Sequence, residues 1–457
     1  MLGLTDKRWT KLAGAAEMPH QGRAGYRRLV VVFLFLNTVS SLLFIHFVRR
    51  PVFDDPNYIQ DVHRYASQGI SIDTIRQNIA APGPTGFIWM AACVHLLGGD
   101  ELHAARLACV FSWLMIGAIV LLGAPQTRSP EAWYAALLFT LVMPHTLTAT
   151  ATLRAEGPAM LFALAGVLMW LESVCRTVTT PKVMLFGILG GVAIGLAIDG
   201  RQYYLALLAA AGVFATLRWR ERGFEIKSLW FLNVTVSLIV ACLPVLLLMF
   251  VWRGLSSPGM VTGSSYGTWV SKVGLNILRP ILAVFYIAVY LFVLSFPVVA
   301  YLPTRQRWRS AVVAFLCGLF AAIFAFDLLQ AGPLNTFITF VGREPIKERI
   351  LLGFITAVAA YGAIGLGWLI WLKREVLQSN ASAIFALLVL AFFIGEQVGV
   401  GGNLPFYEIY VLQVIPFMGI AVFAVLPTLT RPRVVTLFLL SILSQVLLWR
   451  HAFEVPN

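Results

Sequence analysis

From Leu29 to the end of the chain, apolar runs long enough to cross a bilayer recur with only short polar gaps between them. A hydrocarbon layer of roughly 30 Å takes about 20 helical residues at about 1.5 Å rise each. Inside it, backbone polar groups must be bonded within the protein. A chain patterned in this way is an all-α polytopic membrane protein. Of its 457 residues, 59% are hydrophobic and 12% charged, too few charges for an ordinary water-facing surface. The net charge of +13 does not indicate nucleic acid, because Lys and Arg sit in short clusters between the apolar runs, not on one face of a domain.

The spanning segments fall at about 29–48, 102–123, 131–148, 158–174, 183–198, 203–217, 229–252, 276–302, 310–330, 350–372, 382–398, 406–428 and 433–449, about thirteen in all. Cytoplasmic loops carry an excess of Lys and Arg. Basic residues occur at Arg176/Lys182, Arg218 to Lys227, Arg305/Arg307/Arg309, Lys373/Arg374 and Arg431/Arg433, in every second loop. Residues 1–28, with Lys7, Arg8, Lys11, Arg23, Arg27 and Arg28, are then cytoplasmic. The apolar run behind them is too long for a cleaved signal, so it reads as a retained first helix. The stretch Pro84–Gly98 is too short to span, and counting it would reverse the sidedness of every basic loop. It is expected to be an interfacial helix, entered through Pro82 and Pro84, on the outer leaflet. The first extracytoplasmic loop, 49–101, is the longest polar segment and should carry two interfacial amphipathic helices. No internal repeat is visible, so the chain reads as one membrane domain, 1–457. The five cysteines lie in or beside apolar segments without CxxC spacing and read as core residues.

That first loop holds Asp54, Asp55, Asp61 and Asp73. Asp54 and Asp55 lie about six residues past a spanning helix, where a base can meet the head group of a lipid substrate. They also stand at the start of an amphipathic stretch, Tyr58–Gly69, and capping it and complementing its dipole is the alternative reading of these two residues. A divalent-metal site from Asp54, Asp55, Asp61 and His63 is a further possibility.

A wider pattern covers about the first 200 residues. Phe53-Asp54-Asp55 and Tyr58, then Arg64-Tyr65 and Gly69, lead to a Pro-rich start of a short helix (Ala81–Met90). Pro144 and the run Thr152-Leu153-Arg154-Ala155-Glu156-Gly157 follow, and then Asp199-Gly200-Arg201-Gln202. In order and sidedness this resembles the GT-C-fold glycosyltransferases, polytopic enzymes that use polyprenyl-phosphate-linked sugars. Asp55 stands where many relatives have Glu, and Pro-Gly-Pro replaces the commoner Pro-Pro-Leu. The resemblance implies inverting transfer without a metal cofactor, to a lipid, glycan or protein acceptor at the outer face. It implies Asp54 as the general base, Asp55 orienting the acceptor, and Tyr58, His63, Arg154, Glu156 and Arg201 as candidates for binding acceptor or donor.

A phosphate-linked donor needs cations outside the membrane. The loop 331–349 offers Arg343, Lys347 and Arg349, which either bind phosphate or pair with Glu344 and Glu348. Glu396, just inside a span, is a functional candidate by position. Gly401 to Glu408 and the Gly/Ser-rich stretch 256–267 read as outer loops. The histidines other than His63 show no ligand spacing, and no Gly-x-Ser-x-Gly, P-loop or HExxH string occurs. A transporter or flippase of a lipid-linked or anionic substrate is the second reading, although the polar groups collect at one surface and not at the midplane. The expected location is a bacterial inner membrane, with the site facing the periplasm or exterior.

Overall fold

Each apolar run of the sequence coincides with a helix. A computed structural model describes residues 21–52, 55–80, 83–127, 129–176, 179–226, 228–254, 257–258, 278–295, 304–325, 333–399, 408–425 and 431–454. Among these there are helices and no strands. In chain order they are α1 (Gln21–Phe47), α2 (Asp55–Gln68), α3 (Ile72–Arg76), α4 (Pro84–Leu97), α5 (Glu101–Gly123), α6 (Pro130–Leu141), α7 (Pro144–Ala151), α8 (Glu156–Cys175), α9 (Pro181–Gly200), α10 (Leu205–Glu221), α11 (Leu229–Trp252), α12 (Leu278–Ser295), α13 (Thr304–Phe320), α14 (Pro333–Gly342), α15 (Pro345–Leu372), α16 (Arg374–Gln378), α17 (Ala381–Glu396), α18 (Ile415–Val425) and α19 (Arg431–Glu454). Short 3-10 turns at Gln202–Tyr204 and Glu408–Gln413 precede α10 and α18.

Among the described residues, seven helices are long and apolar enough to cross a membrane, eight if α6 and α7 count as one broken span. The stretches Leu278–Leu291, Ala381–Glu396, Ile415–Ala424 and Val435–Arg450 are apolar but shorter. The chain is therefore a multi-pass membrane protein.

The expected third span, 131–148, is not straight: α6 and α7 bend by 72°. Pro144 is the cause, since it has no amide to continue the ladder and forces Met143 into an extended conformation. The break frees the Leu141 and Val142 carbonyls inside the bundle. Asn37 Nδ2 donates to Leu141 O (2.6 Å) and Ser444 Oγ to Val142 O (3.0 Å), so side chains supply what the helix no longer does, while Thr140 O accepts from both Met143 N (3.2 Å) and Thr146 Oγ1 (2.5 Å).

Helix α9 runs close to two neighbours because its glycines leave room. A Cβ at Gly187, Gly191 or Gly195 would meet Asn233 Oδ1, Ser237 O or Ala241 O of α11 at 2.5, 2.2 and 2.7 Å. One at Gly190 would meet Trp170 N of α8 at 2.7 Å. The spacing of four puts the first three on one face, the arrangement that lets membrane helices pack through their backbones.

Side chains at the segment ends bond across to neighbouring segments, both near the basic loops and at the far ends. At the end that gathers those loops, Arg222 Nη2 donates to Arg176 O (2.7 Å), Trp230 Nε1 to Val174 O (2.9 Å) and Ser129 Oγ to Asn380 Oδ1 (3.3 Å). At the opposite end, Trp252 Nε1 donates to Ile75 O (2.9 Å) and the Arg450 guanidinium covers the Phe340 ring at 4.2 Å.

Among the described residues of 49–101 there are three helices where two were expected, and they form a platform packed on α5, α8 and α9. Its short helix α4 packs into the protein along most of its length: Phe87 and Met90 are fully buried, and its far end emerges, with Leu96 83% exposed. The lead-in Gly83 lies so close to α9 that a Cβ there would stand 1.7 Å from Asp199 O, which accounts for glycine between the two prolines. The expected loop 331–349 is largely helical, being α14 and the first turns of α15.

Candidate functional site

Asp54 lies outside the described residues, but its neighbour is firmly placed. Asp55 opens α2 with its side chain 0% exposed. Arg106 of α5 grips Oδ2 through Nη2 (2.6 Å) and Nε (3.2 Å), Val52 N donates to the same oxygen (3.0 Å), and Leu153 N donates to Oδ1 (2.6 Å). Arg106 also donates to the carbonyls of Val48 and Arg50. One buried ion pair thus ties together the end of α1, the start of α2, α5 and the strand-like link before α8. A buried pair without such hydrogen bonds would not offset its own desolvation.

Asp61 is committed in a similar way. It accepts from Ile79 N (3.0 Å), Ala80 N (2.7 Å) and Arg64 Nη1 (2.6 Å), folding the segment before α4 back onto α2. Burial pushes its carboxyl above the usual range, against the opposing pull of these bonds. His63 is exposed and pairs with Glu101 at 3.0 Å. Among the described residues no group of three or more His, Cys, Asp and Glu is disposed to hold a metal ion.

Beneath the platform lies a buried polar layer. Glu156, the first residue of α8, pairs with Arg201, which follows α9, and both are buried. Arg201 Nη2 also donates to the hydroxyl of Tyr58 (3.1 Å), whose ring packs edge-on against Phe87 of α4. Glu156 Oε2 and Arg201 Nε have no hydrogen-bond partner among the described residues. Arg154 is buried nearby in sequence with partners of its own. The structure thus brings Tyr58, Glu156 and Arg201 together.

The layer continues through residues from distant parts of the chain. The Tyr203 and Tyr410 rings pack at a tilt of 40° with centroids 4.6 Å apart. Arg279, at the start of α12 and 1% exposed, donates to Tyr203 Oη and to Gln397 Oε1 (3.0 Å each) and lies 5.7 Å from the Tyr410 ring. Buried Glu408 accepts from the Tyr290 hydroxyl and from Leu334 N at the start of α14 (3.0 Å), with His145 Nε2 at 3.5 Å. The Glu396 carboxylate, which faces the Ala206 backbone amide and the Arg279 charge, has both oxygens buried without a well-formed hydrogen bond among the described residues. Such atoms mark places where a polar ligand or water is needed.

Arg343, Lys347 and Arg349 stand apart from this layer. Arg343 is exposed in a left-handed backbone conformation between α14 and α15, Lys347 pairs with Glu344 at 2.7 Å with both side chains 62% exposed, and Arg349 is half-buried with a partner of its own. Sequence reasoning did not single out Arg106, Arg279, Gln397, Tyr203 or His145. A charged residue inside or at the end of an apolar run is the signal that would have found the two arginines.

No family model matches the chain, and no curated protein matches it. Among solved structures it is similar to ArnT from Cupriavidus metallidurans bound to undecaprenyl phosphate, with 14% identity over 91% of this chain and 77% of that one and a TM-score of 0.41. It is also similar to the apo form of the Archaeoglobus fulgidus oligosaccharyltransferase, with 12% identity over 85% of this chain and 56% of that one and a TM-score of 0.32.

Proposed function

We propose that the chain is a membrane glycosyltransferase of the GT-C type. It moves a hexosyl or pentosyl group from a polyprenyl-phosphate-linked donor to a lipid, glycan or protein acceptor at the extracytoplasmic face of a bacterial inner membrane. Asp54 removes the acceptor proton as the acceptor attacks the anomeric carbon from the face opposite the phosphate. The bond from that carbon to the phosphate oxygen breaks, and the polyprenyl phosphate leaves with the electron pair. Asp55 acts as a positioning residue for Asp54. Developing charge on the leaving phosphate calls for cations. Arg201 and Arg279 in the buried layer are assigned this role ahead of Arg343, Lys347 and Arg349, because a charge in a low-dielectric site acts more strongly than one in water.

The observation that carries this reading is the half-used pair Glu156–Arg201 beside Tyr58, directly under a platform whose acidic corner is anchored by Asp55. Buried ionic groups with spare hydrogen-bonding capacity at one end of a membrane bundle suit a polar, anionic head group. One feature favours the transporter reading instead. The α6–α7 break, with buried His145 just after it, resembles the discontinuous helices of transport proteins.

Membranes carrying wild type or Asp54→Asn, supplied with a panel of radiolabelled polyprenyl-phosphate sugars, distinguish the two. Transfer by wild type, and its loss in a variant with unchanged thermal stability, supports the transferase. No transfer from any donor, together with equal passage of substrate across the bilayer in both proteins, supports transport.

A further inference from the structure

At the end of the bundle that gathers the basic loops, away from the polar layer, a groove of about 830 Å³ opens between the first turns of α1 and α6 and the link before α6. Its size falls in the roughly 300–1,000 Å³ range of ligand sites. Its lining divides by chemistry. Arg27 and Arg28 sit together at the polar end of α1, both exposed. Val31 and Val32, one helical turn deeper, form an apolar wall and are 50% and 44% exposed, and Pro125, Pro130 and Tyr134 face them. Among the described residues neither arginine makes an ion pair. Glu131, next to Pro130, already has a partner.

We propose that this groove binds an anionic phospholipid of the adjacent leaflet, with the phosphate on Arg27 and Arg28 and the upper acyl chain along Val31 and Val32. The charge at one end and the apolar wall one turn below it match the order of groups along such a lipid. Basic pockets between membrane helices recognise anionic head groups in this way. The apolar wall is what distinguishes the site from a diffuse basic surface.

The full chain in nanodiscs of phosphatidylglycerol and phosphatidylcholine, released for native mass spectrometry, reads the retained lipid directly. Wild type is expected to retain phosphatidylglycerol selectively, and Arg27→Gln with Arg28→Gln to lower that selectivity on the order of 30-fold. Ala24→Trp, which fills the groove and leaves the charges in place, should also abolish retention. The comparison variant Arg305→Gln with Arg309→Gln should retain lipid as wild type does. Unchanged selectivity in the first variant, or an equal loss in the comparison variant, would overturn the proposal. The readout is independent of glycosyl transfer.

Discussion

Two buried carboxylate–arginine pairs, one anchoring the platform and one beneath it, are used differently. Asp55 and Glu156 both have side chains 0% exposed, and each is held by an arginine from a neighbouring segment. Both oxygens of Asp55 are taken by Arg106 and backbone amides, whereas Glu156 Oε2 and Arg201 Nε have no hydrogen-bond partner among the described residues. A saturated pair holds the fold together and has nothing left for a ligand. A half-used pair is poorly satisfied in the empty protein and can be completed by one.

The sharpest way to break this comparison is to remove one partner from each pair. Arg106→Ala leaves a buried carboxylate uncompensated and is expected to cost about 3–5 kcal/mol, seen as a large drop in thermal stability in detergent. If stability is unchanged, Asp55 is not the anchor described here. Glu156→Gln keeps the shape and one acceptor but leaves the buried Arg201 charge without its counter-charge, so it should cost some stability, less than Arg106→Ala because the amide still accepts a hydrogen bond, and its larger expected effect falls on transfer, about 100-fold. A Glu156→Gln protein as unstable as Arg106→Ala would make the two pairs equivalent.

A third substitution tests whether the layer depends on how tightly its supporting helices pack. Gly191→Leu forces α9 away from α11 and should cost about 1–3 kcal/mol. Because Arg201 follows α9, transfer should fall along with stability. The smallest effect is expected at the exposed cations: Lys347→Ala should change stability by less than about 1 kcal/mol and transfer by less than about twofold. A loss comparable to that of Arg279→Ala would move the phosphate site to the α14–α15 corner.

The helical, membrane-spanning class was legible in the sequence because the bilayer imposes a length and a polarity on each segment, and among the described residues seven or eight helices meet that demand. The contacts Arg222–Arg176 and Trp252–Ile75 show which segment ends meet, which the alternation of basic loops by itself does not. The broken third span was missed although Pro144 was in view, because a proline in an apolar run either kinks a helix or ends it according to whether neighbours can bond the freed carbonyls. Here Asn37 and Ser444 do so from positions far away in the chain.

Of the site, the sequence alone determined that carboxylates and cations such as Asp55, Glu156 and Arg201 fall at the ends of apolar runs, because charged residues are excluded from lipid. Only the tertiary structure decided which of those charges are spent on each other. Arg106, Arg279, Gln397 and Glu408 lie as far as hundreds of residues from Tyr58, and their hydrogen bonds exist only once α5, α12, α17 and the turn before α18 are packed together. Composition and spacing record where a charge can stand, and the distance between two charges is set by packing.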